Sequence, residues 1–180
     1  MNMNNNHMNE RPEPQEYASF YEGYIRQVPE GNVLELLEKQ AKQVIAALQS
    51  LTEDQANYRY AEGKWSVKEV FGHLIDNERI MSGRLLRVAR GDMTSLPGYD
   101  QDTLMGSHPF DSYTVADLAE EYEAVRHSTL LMLRRLSPEA WLRTGVVNDY
   151  STTARAIAWV ITGHELHHLS VLRDRYEVRV

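Results

Sequence analysis

The 180-residue chain contains no cysteine, so disulfides, thiolate metal sites, iron–sulfur clusters and a cysteine nucleophile are all excluded. It has no apolar run approaching about 18 residues, which excludes a membrane-spanning helix by the hydropathy criterion. Positive charge is in deficit. Lys and Arg number 19 against 26 Asp and Glu, a net −7 that argues against a basic face for nucleic acid. The N-terminus is Asn-rich where a secretion signal needs an apolar stretch, and the chain reads as cytoplasmic. Alternating apolar–polar runs of strand type are also missing from the pattern.

What is present is helical periodicity. Residues 1–16, with five Asn and two Pro, read as a flexible leader, and residues 17–180 as a single domain. The segment Tyr17–Ile25 carries three Tyr and a Phe and reads as a short helix or an arm packed on the body. Four long helical patterns follow. The first opens at Asn32 and carries the stripe Leu34, Leu37, Ala41, Val44, Ile45, Leu48. The second opens with the capping box Ser66–Glu69 and stops before Gly91. The third opens at Thr114, with Asp117 at its third position, and stops before Ser137-Pro138. The fourth opens near Ser151 and runs to about Tyr176. All six prolines fall outside these four segments, as helix interiors require. The expected architecture is an all-α four-helix bundle. The long connection from Gly91 to Tyr113 is of a length that usually carries function, such as a lid.

The seven histidines are His7, His73, His108, His127, His164, His167 and His168. At roughly 100° per residue, His164 and His168 fall inside the apolar arc of the fourth helix, roughly 40° apart. His167 falls at the edge of that arc. His73 flanks the apolar arc of the second helix. His127 lies on the polar side of the third helix and His7 in the leader. Two imidazoles side by side in an apolar core must have their nitrogens satisfied, and a metal ion does this directly. Gly72 and Gly163, each just before a histidine, point to close helix–helix approach, because interior glycine costs about 0.5–1 kcal/mol relative to Ala.

The segments WSVKEVFGHLIDNE, LPGYDQD and AWVITGHELHHLSVLRDRY resemble the DinB-like damage-inducible family and its YfiT-like branch of metal-dependent hydrolases. The resemblance covers roughly Asn32 to Tyr176. It implies a four-helix bundle of DinB/YfiT-like type, usually a homodimer, with a divalent metal held by His73, His164 and His168. Zinc or nickel with open positions is the implied cofactor. The implied activity is that of a hydrolase, or of a transferase joining a low-molecular-weight thiol to a small-molecule electrophile. Three neutral ligands suit an open, catalytic site, whereas structural zinc is closed by four. No nucleic acid or membrane partner is implied.

The catalytic candidates beside the metal are Asp76, Asn77 and Glu165, and Asp100, Asp102 and His108 are candidates to close over it from the long connection. Trp65 is expected to staple a helix start, and Trp141 and Trp159 to fill the core. His164-Glu165-Leu166-His167-His168 also satisfies H-E-x-x-H, a metalloprotease signature with Glu as general base. That reading needs a third downstream ligand, and only twelve residues follow His168, none of them His. A second class stays open: a non-catalytic metal-binding sensor or interaction module.

Overall fold

The computed structural model describes residues 6–107 and 110–180, so His108 lies outside the described residues. The elements are α1 (Glu22–Gln27), α2 (Val33–Ser50), α3 (Glu53–Asn57), α4 (Val67–Ala89), α5 (Gln101–Ser107), α6 (Val115–Leu133), α7 (Pro138–Leu142), β1 (Thr144–Val147), β2 (Tyr150–Thr153) and α8 (Ala154–Tyr176). The bundle is formed by α2, α4, α6 and α8. Around it, α4 lies between α8 and α6, and α2 lies between α6 and α8. The successive helices α2 and α4 therefore stand on a diagonal, as do α6 and α8. The connections through α3 and through α7 with the β-hairpin cross the bundle ends.

Local chemistry sets the helix ends. The side chain of Asn32 accepts hydrogen bonds from the amides of Leu34 and Glu35. Ser66 with Glu69 and Thr114 with Asp117 form complete capping boxes. Gly91, just past the end of α4, has φ 81, the left-handed conformation common after a helix C-terminus.

Two expectations are corrected. A two-stranded antiparallel hairpin, β1–β2, occupies 144–153, and α8 begins at Ala154 with Thr153 as its cap, so Ser151 belongs to a strand. Four-residue strands are too short to show a period of two. The turn was nonetheless legible: Asn148-Asp149 sits at φ 50 and 68, the positive pair that a tight hairpin turn demands. The connection from Gly91 to Tyr113 is also not a plain loop. It contains α5, and its Leu96 pairs with the hairpin, donating to the Val146 carbonyl and accepting from the Asn148 amide.

Polar contacts join residues 10–28 to the body and to one another. Arg155 of α8 bonds Glu10 and Glu16, and Arg11 bonds the carbonyls of Ile25 and Val28 while stacking over Trp159. Trp141 and Trp159 are fully buried, as expected.

Two apolar clusters fill the bundle, one around Leu37, Leu85, Trp141 and Ile157, the other around Leu48, Phe71, Leu118 and Leu172. A polar network lies in the bundle interior, with a contribution from each bundle helix. Arg126 of α6 grips Glu78 of α4 with Nε at 2.9 Å and Nη2 at 2.8 Å, Glu165 of α8 at 2.7 Å and the Leu37 carbonyl of α2 at 2.9 Å. The Tyr122 hydroxyl donates to Glu165 at 2.8 Å. Gln40 donates to the Thr162 carbonyl at 2.9 Å.

Gly163 explains why α1 lies so close to α8. A Cβ there would collide with the backbone carbonyl of Tyr24, an atom that cannot swing aside. Gly72 makes room for the Phe110 ring, so there the close approach is helix to side chain, not helix to helix. By contrast, nothing approaches Gly83 of α4. Gly163→Ala is expected to destabilise the fold by about 1–3 kcal/mol, and Gly83→Ala to stabilise it by about 0.5–1 kcal/mol. Urea denaturation of the two variants checks this, and equal midpoints would refute the close-packing account.

Candidate metal centre

The three histidines of the expected set come together. His73 of α4 and His164 and His168 of α8 place one ring nitrogen each within 4.8 Å of one another. The Nε2 atoms of His73 and His164 are 3.1 Å apart. Ring centroids lie 5.0 Å apart for His73–His164, 4.8 Å for His73–His168 and 4.5 Å for His164–His168. Nitrogens at about 2.1 Å from a tetrahedral ion would stand roughly 3.4 Å apart, so the cluster already has nearly the spacing of a ligand set.

The geometry follows from α-helical phase. His164 and His168 are one turn apart on the face of α8 that meets α4, and His73 meets them from α4. The neighbouring positions are sorted the same way. His167 is half-buried, stacked edge-on to Tyr24 at 5.5 Å, and stands outside the cluster. Glu165 turns into the bundle interior, towards Arg126 and Tyr122. His127 is exposed. Trp65 packs its ring on His73 at 5.0 Å and so walls the site as well as preceding the helix.

Electrostatics keeps the imidazoles neutral. Burial pushes His73 down to about 4 and His168 to about 3, and holds His164 well below its ordinary value, with the neighbouring histidines adding to the effect on the α8 pair. Neutral imidazole is the ligating form. Among the described residues no carboxylate belongs to the cluster. The donor set is therefore three uncharged nitrogens in an enclosed place, which fits a borderline divalent ion and leaves its charge uncompensated.

This burial predicts an acid sensitivity in metal-depleted protein. The folded pKa values are depressed, so near neutral pH neither state is protonated and full stability is present. As pH falls below 6.5 the unfolded chain takes up protons that the folded histidines refuse. Stability should drop progressively down to about pH 4, by on the order of 3 kcal/mol from His73 alone. Urea midpoints measured across this range test it. A midpoint that stays constant from pH 6.5 to about 4 would show that these groups protonate freely in the fold.

A cavity of about 340 Å³ opens beside His164. Its walls are Asn77, Met81 and Arg84 from α4, Val160 and His164 from α8, Tyr21 and Tyr24 from the N-terminal arm, and Gly98–Gln101 from the long connection. The Asn77 amide donates to the Tyr99 hydroxyl. Burial raises the phenols of Tyr24 and Tyr99, keeping both protonated. Of the other candidates, Asp76 is half-buried and near enough to Tyr99 and Tyr113 to act on them electrostatically. Asp100 is exposed at the cavity lip, accepting from the Thr103 amide at 2.7 Å, and Asp102 is exposed. Sequence reasoning missed Arg126 and Glu78 altogether, although both sit in the bundle interior. The signal was present, since Glu78 and Arg126 share the helical phase of apolar neighbours on α4 and α6. A larger open cleft of about 700 Å³, between Asp54, Tyr58 and Val178, contains none of the histidines. Chemistry, not size, singles out the smaller one.

The chain is similar to several known proteins. An Oceanobacillus iheyensis protein, provisionally named a metal-dependent hydrolase, is 23% identical over 156 residues, 82% of this chain and 89% of that one. YfiT from Bacillus subtilis, provisionally assigned as a metal-dependent hydrolase with an unusual four-helix bundle topology, superimposes with a TM-score of 0.73 at 16% identity, over 96% of this chain and 97% of that one. A mycothiol-dependent maleylpyruvate isomerase matches with a TM-score of 0.63 at 14% identity, over 81% of this chain and 61% of that longer protein. At such identities the solved structures show a shared fold. Among the described residues no helix is long and apolar enough to cross a membrane. Residues 36–172 match the DinB superfamily, and because that match spans most of the sequence, the chain belongs to this superfamily.

Proposed function

We propose that the protein is a metal-dependent enzyme acting on a small molecule, with His73, His164 and His168 as the metal ligands and zinc or nickel as the ion. The convergence of three neutral imidazoles, those of His73 and His164 buried and that of His168 half-buried, beside a small cavity carries this reading. When bound, a divalent ion with three neutral ligands supplies Lewis acidity at an open position. The chain's own residues do the rest. Trp65 and Tyr24 exclude water from the flanks of the histidines. Asn77 and Tyr99, bonded to each other, offer a polar wall on which a substrate is oriented. Asp76, one turn from His73 on α4, is the candidate to move a proton. Glu165 has no such role, because its carboxylate is committed to Arg126 and Tyr122.

The nucleophile is water or a low-molecular-weight thiol. With no cysteine in the chain, a thiol has to come with a cosubstrate. The shared fold with a mycothiol-dependent isomerase supports including thiols in the test. Zinc- or nickel-loaded protein should consume an electrophile with bacillithiol, mycothiol or glutathione, or hydrolyse a small ester or amide, and His164→Ala should lose that activity. Turnover equal in wild type and His164→Ala across both panels would favour a non-catalytic metal-binding module instead.

A further inference from the structure

Three arginines in the described structure are more than nine-tenths buried: Arg84, Arg126 and Arg155. Two of them have carboxylates. Arg126 holds Glu78 and Glu165, and Arg155 holds Glu10 and Glu16. Arg84 is 7% exposed, yet no carboxylate among the described residues pairs with it. Its Nη2 donates to the Pro97 carbonyl at 2.5 Å and its Nη1 reaches the Met81 sulfur at 3.4 Å, a weak acceptor. The guanidinium stands 5.3 Å from the Tyr99 ring centroid, and the Tyr21 hydroxyl lies beside it. A guanidinium offers five N–H donors, so these neighbours leave donors and a full charge unmet. A buried cation without a counter-ion is costly, and this one forms part of the cavity that His164 also lines.

We infer that Arg84 is the recognition site for a carboxylate on the substrate, so that the cavity selects small organic acids. The inference rests on the functional reading above for where the reaction occurs. The planar fork of arginine matches a carboxylate with two parallel hydrogen bonds. A phosphate dianion suits the cavity less well, since Arg84 is the single cationic side chain among the described residues of its lining and Asp100 stands at its lip. Position also sets substrate length. Arg84 lies three turns, about 16 Å of axis, beyond His73 on α4, and its longer side chain leans back further towards the N-terminus than that of His73, which leaves on the order of 10 Å between guanidinium and histidines. The reactive group of the substrate is therefore separated from its carboxylate by a spacer of several bonds, packed between Tyr24, Met81 and Tyr99.

The test is calorimetric binding of a matched pair, 3-phenylpropanoate and 3-phenylpropanamide, with phenyl phosphate as a third probe. Each is titrated into EDTA-stripped and zinc-loaded protein. Wild type is expected to bind the acid about tenfold or more tightly than the amide in both forms. Arg84→Gln should abolish that preference while changing amide affinity less than about twofold, and Arg84→Lys should keep part of it. Circular dichroism establishes that the variants are folded. If Arg84→Gln does not fold, the wild-type acid-to-amide ratio and the Lys variant decide. Equal binding of acid and amide by stripped wild type, a preference that survives Arg84→Gln, or tighter binding of phenyl phosphate would each overturn the assignment. Failure of the metal reading would instead be seen as absent zinc uptake, which leaves the acid preference of stripped protein intact.

Discussion

His164→Ala and His168→Ala are expected to lose bound zinc or nickel almost entirely, while His167→Ala keeps wild-type stoichiometry. The two classes of variant differ by at most three sequence positions on one helix, so side-chain direction alone separates them. His164 and His168 aim a ring nitrogen at His73, whereas His167 stacks on Tyr24 outside the cluster. Losing an outer hydrogen-bond partner of a metal ligand already weakens binding by about 10–100-fold, so loss of one of three direct ligands should exceed about a hundredfold. His73→Ala should behave like His164→Ala. Metal content after dialysis, measured by plasma mass spectrometry, together with competition against a chromogenic chelator, reads the effect. Equal losses from His167→Ala and His168→Ala would show that the helical phase argued above, or the choice of the i, i+4 pair over i, i+3, is wrong.

The second large effect concerns stability. Arg126→Met should destabilise the protein by about 3–5 kcal/mol, because it leaves Glu78 and Glu165 buried together without a cation. For a chain of this size that lowers the melting temperature by roughly 6–20 °C. Burial already raises the Glu165 carboxyl above its ordinary value despite Arg126, and its Oε1 has no hydrogen-bond partner among the described residues. The carboxylate is thus only partly satisfied even in the intact network. Substituting the three charged residues together, Arg126→Met with Glu78→Leu and Glu165→Leu, should recover most of the loss, since apolar groups of similar volume need no partner. Thermal and urea unfolding of the single and triple variants distinguish these outcomes. A single variant within about 1 kcal/mol of wild type would mean that the network contributes little. The network also bears on the metal centre: Glu165 adjoins His164, and its attachment to Arg126 helps fix the rotation of α8 that turns the histidines towards α4.

Much of this was decided by local chemistry. The caps at Asn32, Ser66 and Thr114 satisfy amide groups within three residues, so the helix starts were readable from the chain alone. The inward direction of His164 and His168 follows from the spacing of apolar residues around them, which is a one-helix property. Absent cysteine and a net −7 removed whole classes of chemistry without any coordinates. Tertiary structure decided whatever depends on groups distant in sequence. That His73 meets the α8 pair requires α4 and α8 to be neighbours, and the diagonal placement of successive helices is set by packing, not by local pattern. Arg126 shares the apolar phase of α6, but one helix cannot show that carboxylates from two others await it. The cavity, and the unpaired guanidinium of Arg84 within it, exist only once α4, α8, the N-terminal arm and the 97–101 stretch are assembled. Periodicity reports which face of a helix is buried, but which partner meets that face is set by long-range packing that no single segment encodes.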